Sequence, residues 1–280
     1  MPELLLLVAL GQSVLAGCPA ADVVPALHRT ADLPSARLTL LRCVRADLRV
    51  GAWDAVDTRL AAARRSGATL ARPDLSAWRA LVDRLSATRV IDARAWDDAA
   101  VLAVAISDES AWLRMMVNAI AEARRAWRSQ DREAFGRVVR VADELRVLAD
   151  DRQDVEIRRA ALLVQAAAAG GQYEREEMQL LLEDAHRTEV ALRDAFGELH
   201  VPVVLAAELE ADLWLQTDRY ARAADAYRAV IAEHPGRVQS WLGLAAAYRR
   251  LGHVREADIA EAQARELAPR FSTPDRAAPR

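Results

Sequence analysis

The chain has 280 residues, 52% of them apolar, with a formal charge of −3. That length can bury a sizeable core or carry several repeats, and the near-neutral charge gives no electrostatic case for nucleic acid. Two cysteines are too few for a disulfide framework, and Cys18 and Cys43 form no metal-ligand cluster.

The chain opens with an apolar run from Leu4 to Leu15, too short to span a bilayer but the size of a signal-peptide core. It ends in Leu15-Ala16-Gly17-Cys18. This box resembles the lipobox of bacterial lipoproteins. The resemblance implies cleavage before Cys18, whose thiol then accepts diacylglycerol. Residues 1–17 would be the signal and residues 18–33 a tether, and the acyl chains would hold the protein on a membrane. One feature departs from the pattern: Met1-Pro2-Glu3 carries no positive charge. An ordinary N-terminal helix packed on the rest of the chain is the alternative.

From Pro34 the apolar residues recur at helical spacing. Leu38, Leu41, Val44 and Leu48 form the first stripe, in which Cys43 reads as a small buried apolar residue. Gly51 breaks it, and a second helix runs from Trp53 to Ser66-Gly67. Pro73-Asp74 starts a third, with Leu75, Trp78, Leu81 and Leu85 on one face. Asp92 reads as the cap of a fourth, carrying Trp96, Ala99, Val101 and Ala105. Ser107-Asp108-Glu109-Ser110 starts the next, from Ala111 to Arg128, and Ser129-Gln130-Asp131 turns into another from Glu133 to Leu148. Asp150-Asp151 separates it from Val155 to Ala169, which breaks at Gly170-Gly171 before a helix from Tyr173 to Phe196.

The stretch from Ala207 to Pro269 then repeats itself at an offset of 34 residues. Ala211 falls on Ala245, Trp214 on Tyr248, Ala223 on Ala257 and Pro235 on Pro269. Ala207 falls on Trp241, in Trp241-Leu242-Gly243-Leu244 with Tyr248 following. Alanine is required where two backbones come close, rings fill the space between hairpins, and proline ends a helix. The pattern resembles the tetratricopeptide repeat (TPR). The resemblance implies an all-α, helix-hairpin solenoid: a superhelix of about six helix pairs, degenerate over residues 34–200 and best matched in the two repeats of residues 201–269. Tyr227 takes the aromatic position that packs onto the next hairpin. One period later stands Glu261, the acid that a terminal helix facing water requires. Residues 270–280 read as a disordered tail.

No catalytic or phosphate-binding motif is present, and no cofactor is expected. Glu183 and His186 make one Glu-x-x-His pair, where a di-iron bundle needs two, so no metal site is assigned. In the resembled family the ligand lies on the first helices of the hairpins. That puts Glu208, Asp212, Gln239, Leu242, Ala246 and Arg249 on a concave face that could hold a protein or peptide, although solvated surface is an equally good account of them. The expectation is a non-enzymatic scaffold, lipid-anchored in the bacterial envelope. All 38 basic residues are Arg, a bias expected of GC-rich coding DNA. A soluble cytoplasmic adaptor is the alternative, and a metal-binding helical enzyme a remoter one.

Overall fold

The computed structural model describes residue 18 and residues 33–49, 51–68, 70, 72–92, 106–197 and 202–267. The signal segment, most of the tether, the helix expected around Trp96 and Val101, and the C-terminal tail lie outside the described residues. Among the described residues there are eleven α-helices and no strand.

The first three helices are α1 (Leu33–Arg49), α2 (Trp53–Gly67) and α3 (Arg72–Asp92). They enclose a small core of Leu40, Val44, Val56, Leu60, Trp78 and Leu85. The Trp78 indole N–H donates to the Ala63 carbonyl at 2.8 Å, so its one polar atom is satisfied. A short 3-10 turn at Asp108–Ser110 leads into α4 (Ala111–Ser129) and α5 (Arg132–Arg152). Then come α6 (Val155–Gly171) with α7 (Arg175–Phe196), α8 (Ala206–Gln216) with α9 (Tyr220–Glu233), and α10 (Val238–Leu251) with α11 (Val254–Leu267). These eight form four adjacent antiparallel pairs. The first helices α4, α6, α8 and α10 pack in succession, and each second helix packs on the pair that follows. This is a solenoid-like stack around one continuous core.

Two of the turns share a chemistry. Gln130 and Gln153 both adopt the left-handed conformation, with φ of 55° and 52°. Each side-chain amide donates to the carbonyl three residues back at 2.7 Å, which offsets part of that backbone strain. The next residue is then an N-cap. Asp131 accepts from the Ala134 N–H at 3.1 Å, and Asp154 from the Glu156 and Ile157 N–H groups at 2.8 and 3.1 Å. The expected break at Asp150-Asp151 is therefore wrong by about one turn of helix. Both residues lie inside α5, and the turn is made by Gln153-Asp154.

Two other helix ends fall within two residues of where the sequence places them. The helix expected to start at Pro73-Asp74 starts at Arg72, so Asp74 lies in its first turn and is not its cap, while the helix that Asp92 was expected to cap lies outside the described residues. The helix expected to end at Gly170-Gly171 does end there, the two glycines being the last residues of α6. A Cβ on Gly171 would stand 2.2 Å from the Phe135 ring, so the missing side chain is what lets α5 lie against α6.

The repeat residues sit as their types require. Ala211, Ala223, Ala245 and Ala257 are all fully or almost fully buried. Trp214 is buried, its indole N–H bonded to Glu210 at 3.0 Å and the Arg222 guanidinium 4.9 Å above its ring. Tyr227 has no exposed surface and lies directly on Gly243 of α10. Trp241 and Tyr248 are only half-buried against the core. Glu261 bonds Arg249 across the last pair.

Candidate functional site

Three of the six residues expected to present a concave binding face do not present one. Glu208, Asp212 and Gln239 are buried. Leu242 and Ala246 keep partial exposure, and Arg249 is exposed and paired with Glu261. The cause is α3, together with α4. Ser107, just before α4, donates its hydroxyl to Asp83 at 2.6 Å. Arg84 pairs with Glu156 in the first turn of α6. Asp92 then reaches Arg237, which stands immediately before α10. In order along its length, α3 thus passes the N-terminal ends of the first helices and covers part of the face they would otherwise present.

The polar groups beneath it are satisfied in two linked sets. Arg237 donates to Asp92 at 2.7 Å and, through Nε, to Glu208 at 3.3 Å. A second bond joins Arg237 Nη2 to the other oxygen of Glu208. The Ser240 hydroxyl donates to Glu208 at 2.7 Å. These two carboxylates hold the Arg237 guanidinium well above the ordinary arginine value, against the opposing effect of burial. In the second set Arg124 of α4 donates to Asp212 at 2.9 Å, and the Tyr227 hydroxyl donates to the other oxygen of Asp212. Between the sets lies a recess of about 20 Å³, lined by Ile91, Arg124, Val204, Glu208, Leu209, Asp212 and Gln239. That is room for about one water, far below the several hundred Å³ of a small-molecule pocket.

A third buried pair fixes the entry to α8. Arg159 bonds both Glu189 and the Val204 carbonyl. Glu189 in turn accepts from the Ala206 N–H at 3.2 Å. A carboxylate from α7 thereby satisfies an amide at the start of α8, where no local side chain caps the helix.

Two further groups titrate away from their ordinary values in this region. Burial pushes the Glu156 carboxyl up, more strongly than Arg84 pulls it down. Burial, and then the charge of Arg237, pushes the His234 imidazole down. The unfolded chain therefore binds a proton at His234 more readily than the fold does. Stability should fall as the pH drops below the ordinary histidine range, and level off once the folded-state value is passed. Urea midpoints at pH 7.5 and 5.5 check this. His234→Gln should show a smaller acid loss than the wild type, and an equal loss in both proteins would assign the effect elsewhere.

The cysteines differ from expectation. Cys43 is buried in α1, as its neighbours suggest, but it is no free thiol: it is disulfide-bonded to Cys18, with Cα atoms 5.6 Å apart. The bond closes a sequence separation of 25 residues onto α1. A sulfur in a disulfide cannot also carry the thioether of a lipid anchor, so the two fates of Cys18 are alternatives. By loop entropy the crosslink contributes about 3 kcal/mol. Cys43→Ser should lower the stability of oxidised protein by about that amount, while leaving reduced protein little changed.

Glu183 accepts from Gln179 at 3.1 Å, and among the described residues no group of three or more acidic, His or Cys side chains could hold a metal. No described helix is long and apolar enough to cross a membrane. Sequence reasoning missed Asp92, Arg124 and Arg237. Arg237 follows Pro235-Gly236 and is recognisable as a turn residue, but nothing in the repeat register points to a partner 145 residues away. No protein-family model, curated protein or solved structure matches the chain, so the geometry and the sequence together carry the functional argument.

Proposed function

We propose that the protein is a non-enzymatic scaffold of TPR type that holds a protein or peptide partner in the bacterial cell envelope. The row of first helices α4, α6, α8 and α10 carries this reading. A stack of paired helices offers an extended surface made of many short elements, which suits a chain-like ligand better than a small molecule. Leu242 and Ala246 remain partly exposed on that row. The Cys18–Cys43 disulfide supports an oxidising compartment, since such bonds are rare in reducing cytosol. The lipid-anchored form is a second reading, supported by Leu15-Ala16-Gly17-Cys18.

Intact mass and free-thiol labelling of protein from fractionated cells separate the forms. The disulfide-bonded envelope protein shows no free thiol and no acyl mass. A diacylglycerol mass that disappears in Cys18→Ser selects the anchored form. Full-length chain with both thiols free, confined to the cytosol, selects the cytoplasmic adaptor and removes the envelope reading. A photo-reactive residue at position 246 tests the scaffold itself. A discrete crosslinked partner is expected in living cells, and the absence of any adduct at positions 242 and 246 would sink the proposal.

A further inference from the structure

We infer that the last turn of α3 is a built-in occupant of a binding site between α4, α8 and α10. The ligand of that site is the end of an amphipathic helix with two adjacent aliphatic residues followed by a carboxylate. This rests on the scaffold reading above and narrows it to a ligand class.

The two halves of α3 belong to different cores. Trp78, Leu81, Val82 and Leu85 pack with α1 and α2. Ala87, Val90 and Ile91 pack into the core of the stack. The second half presents Val90-Ile91-Asp92, which is the ligand chemistry written in cis. The aliphatic pair is buried, and the carboxylate meets Arg237 at 2.7 Å.

Groups outside α3 also hold the seat. Glu208 of α8 accepts from Arg237 and is itself held by the Ser240 hydroxyl of α10, and Tyr227 and Arg124 hold Asp212 from α9 and α4. A guanidinium held in place by groups of its own stack is a preorganised acceptor for an incoming carboxylate. The fit of α3 is also incomplete. A recess of about 20 Å³ remains beside Ile91. The Arg237 side chain keeps 22% of its surface exposed. A helix bearing a longer apolar side chain, such as methionine, at the position of Ile91 reaches into that space and gains contacts that α3 leaves unmade. The contact is therefore autoinhibitory: the ligand competes with α3 for one seat, and its apparent affinity is reduced by the fraction of chains in which α3 is docked.

The probe is a fluorescein-labelled, C-terminally amidated peptide of residues 72–92, added to the full-length protein. Asp92→Arg in the protein places a second guanidinium against Arg237 and should release the turn. This variant should bind the peptide at least tenfold more tightly than the wild type. A peptide carrying Asp92→Asn should lose most of that gain. A folded Asp92→Arg protein that binds neither peptide overturns the inference. If that variant does not fold, hydrogen exchange on the wild type decides. The amides of residues 90–92 should exchange at least tenfold faster than those of residues 209–213, and equal protection shows that the turn is fixed core. A partner crosslinked at position 246, with no peptide bound by the opened protein, removes this site and leaves the scaffold reading standing.

Discussion

Replacing Gly243 by alanine should destabilise the protein by about 3 kcal/mol, although alanine is the better helix former. A Cβ there would stand 2.2 Å from Cζ of Tyr227 and 2.6 Å from its hydroxyl oxygen. Tyr227 has no exposed surface into which to move, so the ring must swing and lose its bond to Asp212. Overpacking of this kind typically costs about 1–3 kcal/mol, and leaving a buried acceptor short of a donor adds about 1–3 kcal/mol. Gly136→Ala is the control. It lies on an exposed face of α5, where the nearest atom to a new Cβ is the Arg140 guanidinium at 3.9 Å. There the substitution should gain about 0.5–1 kcal/mol through helix propensity alone. Urea unfolding followed by circular dichroism reads both. Tyr227→Ala in the Gly243→Ala background should cost less than the sum of the two single changes, because the collision is then removed. Strict additivity would show that the ring and the glycine do not meet.

Replacing Arg237 by methionine should cost a similar amount, about 3 kcal/mol, for an electrostatic reason. The side chains of Asp92 and Glu208 keep only 13% and 10% of their surface. Removing the guanidinium between them leaves two carboxylates facing each other with little water to screen them. The residual exposure of Arg237 keeps the expected loss at the low end of the range for buried pairs. The triple change Asp92→Leu, Glu208→Met, Arg237→Met should recover most of the loss, since apolar groups of similar volume replace buried ion networks at little cost. Denaturant midpoints of the single and triple variants check this. A triple variant as unstable as Arg237→Met would mean that Arg237 acts through packing and not through charge.

How the fold could be read from residue types differs along the chain. In α8 to α11 the alanines, Trp214 and Tyr227 are buried as their spacing suggests, and Tyr227 and Trp214 meet neighbours well within one repeat of themselves. In α5 and α6 the same physics operates with different residues. Phe135 lies on Gly171 much as Tyr227 lies on Gly243. The aromatic and the glycine are there 36 residues apart, against 16 in the later pair, so no fixed register exposes the relation. The turns Gln130-Asp131 and Gln153-Asp154 were legible only in part. Aspartate is a familiar cap, but glutamine in a left-handed conformation carries no sequence signal of its own.

The candidate site was less legible still. Glu208 and Asp212 read as the solvated inner face of a first helix, and each is instead one side of a buried ion pair. A polar residue at a given helical position is exposed or buried according to what lies over it. Local sequence does not contain that information when the covering helix is remote in the chain.

The sequence by itself therefore determined an all-helical chain and the register of its last two hairpins, since periodic small and aromatic residues encode contacts between near neighbours. Only the tertiary structure decided that α3 crosses the first helices, that Asp92 meets Arg237, and that Cys18 bonds Cys43. Those contacts join segments outside any repeat register. The first two depend on how α3 lies across the stack and the third on a crosslink that reaches α1 from outside it, and no local period specifies either.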